Sequence, residues 1–238
     1  MMEIINATYF DDILYIDENH SYWYGEQRFI SVTQYLSKFK QPFDTDRWSQ
    51  HSAKKEGVSQ QTILERWEQK GKASLEKGTI VHNAAEAILK GEEIILEGMP
   101  KEVISIKNFW DNLVKNYNAR LLKAEWVIGD KKAQVAGRID AIIQFDREGK
   151  TITSLLDWKT GTIKMKNHFE KMKAPFNYLD DCSYNHYSIQ LSLYRLILER
   201  NLNINLDHGL LVNVTDAGAI RPIKAKDLRQ PLDRLLFS

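Results

Sequence analysis

Residues 133–158 constrain this chain most. Residues 133–145 are apolar and alternating, with β-branched Val135, Ile139, Ile142 and Ile143. Residues 151–158 resume the pattern after Asp146-Arg147-Glu148-Gly149, which is turn chemistry. The run predicts two antiparallel strands joined by a tight turn. Residues two apart on a strand share a face, so Asp157 and Lys159 point the same way. Asp140, on the partner strand, reaches that face if the register allows. Two carboxylates and a lysine at the end of an otherwise apolar hairpin need a reason, because unpaired charge is costly to bury. A divalent cation held by hard oxygen ligands supplies one. Such a cation binds a phosphate and lowers the pKa of a bound water. A lysine beside it positions or deprotonates that water and offsets negative charge as it develops. These parts suit hydrolysis of a phosphodiester. The plainer alternative is a surface Asp-x-Lys pair, and the choice turns on whether other parts follow in order.

Other parts do follow. Upstream, Gly78-Thr79-Ile80-Val81-His82 opens a helix that also carries Glu86, and downstream Gln190 and Tyr194 lie one turn apart on another helix. The order Gly-Thr-x-x-His, Gly-x-x-Asp, Asp-x-Lys-Thr-Gly, Gln-x-x-x-Tyr resembles the RecB-like branch of the PD-(D/E)xK nuclease superfamily, over residues 67–214. The resemblance implies an α/β, restriction-endonuclease-like core: a central mixed sheet flanked by helices in α-β-β-β-α-β order, with an N-terminal β/helical elaboration. It implies a metal-dependent deoxyribonuclease, an exonuclease before other kinds, serving recombination, repair or replication. By the same resemblance His82, Asp140 and Asp157 bind the metal with the backbone carbonyl of Trp158. Lys159 orients or activates the attacking water, and Gln190 and Tyr194 hold the scissile phosphate. The implied ion is Mg²⁺ or Mn²⁺. Mn²⁺ is an effective substitute because imidazole is softer than Mg²⁺ prefers. Glu125 sits where such proteins often carry a glutamate. Glu86 shares a helix face with His82. It stands as a partner holding the imidazole, as a ligand in a two-metal state, or as a salt-bridge partner. Two rival functions remain: a non-catalytic DNA-binding protein on the same fold, and a sequence-specific endonuclease of the restriction type.

Composition sets the outer limits. The 238 residues suit one α/β domain with an elaboration, expected as a strand and helical lobe over residues 1–70 and the nuclease core over 71–238. Lys+Arg 33 against Asp+Glu 32 gives a net charge of +1, so any nucleic-acid surface must be local. Cys182 is the only cysteine. It excludes an internal disulfide and the four-cysteine iron–sulfur cluster that some RecB-like nucleases carry. There is no basic leader and no apolar run near the ~20 residues a membrane span needs. The expectation is a cytoplasmic protein of a reducing compartment, without a membrane, acting on DNA that is single-stranded or has free ends.

The remaining segments read as follows. Residues 13–16, 21–24 and 28–30 are short strands, and Tyr22, Trp23 and Tyr24 anchor that hairpin or stack on bases. Ser31 caps a helix over 32–40, a second runs over 44–55 to Gly57, and a third over 58–70, separate from the helix after Gly78. Lys38, Lys40, Arg47, Lys54 and Lys55 form a solvated face or a wall of a DNA channel. Residues 101–118 are an amphipathic helix and 121–128 a strand. After Lys159 comes a loop read as mobile. Its Lys164, Lys166, Lys171 and Lys173, with His168 and interleaved Phe169, Phe176 and Tyr178, suit contact with a DNA backbone and stacking on bases. Residues 184–200 form a buried helix with a polar stripe of His186, Gln190 and Tyr194. A strand over 206–214, an edge strand over 219–224 and a helix interrupted near Pro231 close the chain.

Overall fold

The computed structural model describes residue 4 and residues 8–237. Among them, eight strands make one mixed sheet: β1 (Ile13–Ile16), β2 (Ser21–Tyr24), β3 (Gln27–Ser31), β4 (Arg120–Asp130), β5 (Val135–Arg147), β6 (Lys150–Thr160), β7 (His208–Val214) and β8 (Ile220–Lys224). The helices are α1 (Val32–Ser37), α2 (Thr45–Glu56), α3 (Gln60–Lys90), α4 (Lys101–Tyr117), α5 (Ser183–Leu202) and α6 (Arg229–Phe237). The chain is thus an α/β protein with a central mixed sheet between helices. None of these helices is long and apolar enough to cross a membrane.

The strands β4, β5 and β6 form an antiparallel meander. Strand β7 then lies parallel to β6, a pairing that requires a crossover, and α5 is that crossover. Alternation along the strands splits the apolar residues between two cores. Ile142, Leu155 and Leu211 pack with Ile189, Leu193 and Ile197 of α5. Ile143, Leu156 and Val212 pack on the other face with Val81, Ala85 and Ile88 of α3 and Val103, Ile106 and Trp110 of α4. Helix α5 has apolar residues nearly all round because it is enclosed, with α1 and α6 beyond it.

One edge of β5 serves two strands. Its start pairs in parallel with β3 at Ile30–Val135 and Ser31–Ala136, which joins the N-terminal hairpin to the sheet. The same edge pairs with β6 only from Ala141 onward. The stretch between, residues 137–140, has no strand beside it there, because β4 occupies the opposite edge. That opening positions the site described below.

Three local readings need correction. The helix expected to end at residue 70 does not end. It runs as one 31-residue helix through Gly71 and Gly78, roughly 46 Å long. A β-carbon at either glycine would meet nothing within 4 Å. Neither has the left-handed backbone that stops a helix at Gly57 or Gly91. Each glycine costs only about 1 kcal/mol in a helix interior, less than the packing of residues 81–89 returns. Pro231 does not interrupt α6 but sits in its first turn, where backbone N–H groups have no partner within the helix. The segment between β6 and α5 is not a free loop. Met172, Phe176 and Leu179 are buried in the core, and Phe176 meets Phe39 edge-on at 5.1 Å between ring centres. Phe176 is therefore unavailable for stacking on bases.

The continuous helix makes a sharp prediction. Gly71→Ala and Gly78→Ala should each stabilise the protein by about 0.5–1 kcal/mol in urea unfolding, since Ala fits helical backbone that Gly must be ordered into. Destabilisation by either would mean that the chain turns at that glycine.

Candidate active site

Strands β5 and β6 last pair at Ala141–Leu156 and then separate. Beyond that point the N–H of Trp158 has no backbone partner on β5. The Asp140 side chain supplies one, its Oδ2 accepting from Trp158 N at 2.8 Å. The same Oδ2 lies 3.4 Å from Nδ1 of His82. His82 is brought there by the last three turns of α3, where Val81, Ala84, Ala85 and Ile88 are buried against the sheet. Glu125 completes the group from β4: His82, Glu125 and Asp140 each offer a ligand atom within 4.8 Å of the others'.

Glu125 reaches this position through an unusual backbone. Its φ is +46°, a left-handed conformation in the middle of a strand. Outside glycine such a conformation costs on the order of 1–3 kcal/mol and is concentrated at functional sites. The strand pair changes face here. Trp126 and its partner Ile139 pack towards α5, whereas Ala141, two residues on, packs towards α3. The twist turns the Glu125 carboxylate towards Asp140. Burial, then repulsion from Asp140, raises the Glu125 pKa to about 7, although Arg138 Nε stands 2.7 Å from its Oε2. Arg138 is held in turn over the Tyr15 ring at 4.6 Å.

Asp157 and Lys159 share a face of β6, as the alternation predicts, with Lys159 Nζ 2.6 Å from Asp157 Oδ2. Asp157 is only 3% exposed. Burial pushes its pKa up to about 6 against the pull of Lys159, and Asp140 adds repulsion. Burial disfavours the Lys159 ammonium, but Asp157 and Asp140 outweigh it and hold the pKa above the ordinary lysine value. The Tyr187 ring lies 4.8 Å from Lys159 Nζ. Asn213 of β7, also buried, donates to the carbonyls of Lys159 at 3.2 Å and Gly161 at 2.7 Å, fixing the end of β6. Gln190 Nε2 donates to the Tyr194 hydroxyl at 3.3 Å. Burial keeps Tyr194 protonated far above the usual phenol range. Its ring lies against β5 at Gly137: a β-carbon there would sit 2.6 Å from Tyr194 Cε1. The Gly-x-x-Asp spacing therefore has a packing cause, since only glycine lets the tyrosine close on the strand that carries Asp140.

Of the residues singled out in the sequence, His82, Asp140, Asp157, Lys159, Gln190 and Tyr194 thus lie around one end of the β5–β6 pair, with Trp158 between them. Glu125 joins His82 and Asp140. Glu86 forms an ion pair with Lys90 at 2.6 Å and is near enough to Glu125 for its charge to act on that carboxylate. Lys164, Lys166, Lys171 and Lys173 are exposed on the segment after β6, and Lys171 pairs with Asp180 at 2.6 Å. His186 is bonded to Asp181. Tyr187 and Asn213 were not foreseen. Tyr187 could have been found, since it lies three residues before Gln190 on the same helix face. Asn213 lies in an apolar strand with no such signal.

The donor set fits a divalent cation. It combines one imidazole with crowded carboxylates, and burial, with repulsion from Asp140, raises the pKa values of Glu125 and Asp157. Oδ2 of Asp157 is buried with an ion-pair contact to Lys159 but no well-directed hydrogen bond. No protein-family model and no curated protein matches the chain. Among solved structures, a protein named "Putative exonuclease" from Eubacterium rectale has a TM-score of 0.37 and 14% identity, covering 68% of this chain. The match spans 63% of that protein, less than two thirds of its length.

Two measurements follow from this geometry. Mn²⁺ should raise the thermal midpoint of the wild type and leave that of Asp140→Ala unmoved. Equal shifts in both would place the cation elsewhere. Gly137→Ala should cost about 1–3 kcal/mol through overpacking, measured by urea unfolding. A neutral result would mean that Tyr194 does not lie on β5.

Proposed function

We propose that the protein is a metal-dependent DNA nuclease that hydrolyses phosphodiester bonds, and that it acts as an exonuclease. The observation that carries the reading is the meeting of His82, Glu125 and Asp140, from three distant segments, beside the Asp157–Lys159 pair. Isolated ion pairs are common; carboxylates crowded with an imidazole and a lysine at one open strand end are what a cation and a phosphate together require.

In this reading His82, Asp140 and Asp157 hold Mg²⁺ or Mn²⁺, with the carbonyl of Trp158 and with Glu125 available as a further oxygen donor. The cation, when bound, polarises the phosphate and makes a water nucleophilic near neutral pH. Lys159 stays an ammonium between two carboxylates, so it donates hydrogen bonds: it orients the attacking water and offsets charge on the phosphate oxygens. Tyr194 stays protonated and accepts from Gln190, which leaves its own proton to donate to the scissile phosphate. Asn213 and Tyr187 act at one remove, by fixing the end of β6 and the lysine head. Lys164, Lys166, Lys171 and Lys173 offer contacts to phosphates further along the strand.

The test is digestion of end-labelled linear DNA and closed circular DNA with Mg²⁺, Mn²⁺ or EDTA. The expected result is mononucleotides or short products from the linear substrate with either metal, an intact circle, and no cleavage in EDTA. Lys159→Ala and Asp140→Ala should each cut activity by at least about a hundredfold while keeping the fold. Discrete fragments from the circle would favour an endonuclease. Binding without cleavage, insensitive to EDTA, would favour a non-catalytic DNA-binding protein. Wild-type-like cleavage by either variant would remove the assignment.

A further inference from the structure

We propose that the segment after β6 binds single-stranded DNA, with Phe169 as the platform for one unpaired base and Lys164, Lys166 and Lys173 on the flanking phosphates. The inference rests on the nuclease reading and specifies its substrate.

Phe169 is 95% exposed. A lone exposed phenylalanine is unremarkable on its own, but this one is held out by a built turn. Asn167 Oδ1 accepts from the N–H of Phe169 at 3.1 Å and of Glu170 at 3.3 Å, while its amide donates to the Asp181 carbonyl at 2.9 Å. Below the turn the segment is fixed to the body. Lys171 bridges to Asp180, Lys173 N donates to the Phe39 carbonyl at 2.8 Å, and Phe176 fills the core. An aromatic carried on a backbone already held in place has less freedom to lose when a base stacks on it.

The charge around the turn is one-sided, although the whole chain is near neutral. Asp180 is taken by Lys171 and by the N–H of Asn167. Asp181 is taken by His186 and by the N–H of Gln41. Lys164, Lys166 and Lys173 are exposed and make no ion pair with the described residues, and neither does Glu170 on the same segment. Lys164, Lys166 and Phe169 line a cleft of about 290 Å³ with Asp181 at its base. The segment that lines the cleft is linked to the site through the start of α5. Lys164 N donates to Ser183 Oγ at 3.1 Å and its carbonyl accepts from Tyr184 N at 3.1 Å, at the start of α5. One turn on, Tyr187 touches Lys159. A strand leaving the scissile phosphate along this path meets lysines for its backbone and one ring for a base. Bases inside a duplex are covered on both faces by their neighbours, so only an unpaired or unstacked base can use that ring.

The test uses full-length Lys159→Ala protein with Mn²⁺, so that DNA is bound and not consumed. Binding is read by fluorescence anisotropy on an oligothymidine of about 20 nucleotides and on a duplex of equal length closed by hairpins at both ends. The oligothymidine should bind at least tenfold more tightly. Adding Phe169→Ala should weaken it about tenfold, leave the closed duplex and the thermal midpoint unchanged, and be rescued by Phe169→Trp. Adding Lys164→Ala with Lys166→Ala should lower the salt dependence of single-strand binding by about 1.4 in slope. Unchanged oligothymidine affinity in the Phe169→Ala protein, or equal affinity for the closed duplex, overturns the inference. If the wild type still degrades linear DNA in that event, this inference fails alone. If the wild type neither binds nor degrades DNA, the nuclease reading has failed and takes this one with it.

Discussion

The arrangement depends on one side chain closing a gap in a sheet. Where β6 leaves β5, the backbone N–H of Trp158 is deprived of its ladder partner, and the carboxylate of Asp140 takes that place. An unsatisfied N–H at this depth would be expensive, so Asp140 is fixed by the fold itself. Its Oδ2 also faces His82. The separation of strands thus opens the sheet edge, sets the orientation of an acid within it, and leaves room beside that acid for groups from α3 and β4.

The opening gathers acidic groups whose charged forms burial disfavours. Lys159 answers Asp157, and Arg138 answers Glu125, yet both acids keep raised pKa values. A left-handed backbone at Glu125 adds to the cost. A divalent cation would relieve crowding of this kind, because carboxylate ligands offset its charge and their own desolvation.

The parts of this that could be read from the sequence are those with a period or a fixed spacing. Alternation between Val135 and Trp158 gave the hairpin and the shared face of Asp157 and Lys159, and the three-to-four spacing over 101–118 gave α4. The neighbourhood of His82 and Asp140 was legible only through the order of four short motifs, since no periodicity links residues so far apart. Other features left no local trace. Glu125 is flanked by Ala124 and Trp126, with no glycine or asparagine to announce a left-handed residue. Gly71 and Gly78 signalled breaks, but their penalty is small and packing at the far end of α3 outweighed it. Phe176 lies in a lysine-rich segment without periodicity, so nothing marked it as an anchor in the core, and that anchoring is what makes the segment a fixed surface.

The most direct measurement is an anomalous difference map from crystals grown with Mn²⁺, collected near the manganese absorption edge. The expected result is a peak at the open end of β5 and β6, bonded to the His82 imidazole and to Asp140, with Lys159 standing beside it. A peak on exposed carboxylates only, or a map with His82 and Asp140 turned away from any ion at saturating Mn²⁺, would contradict it.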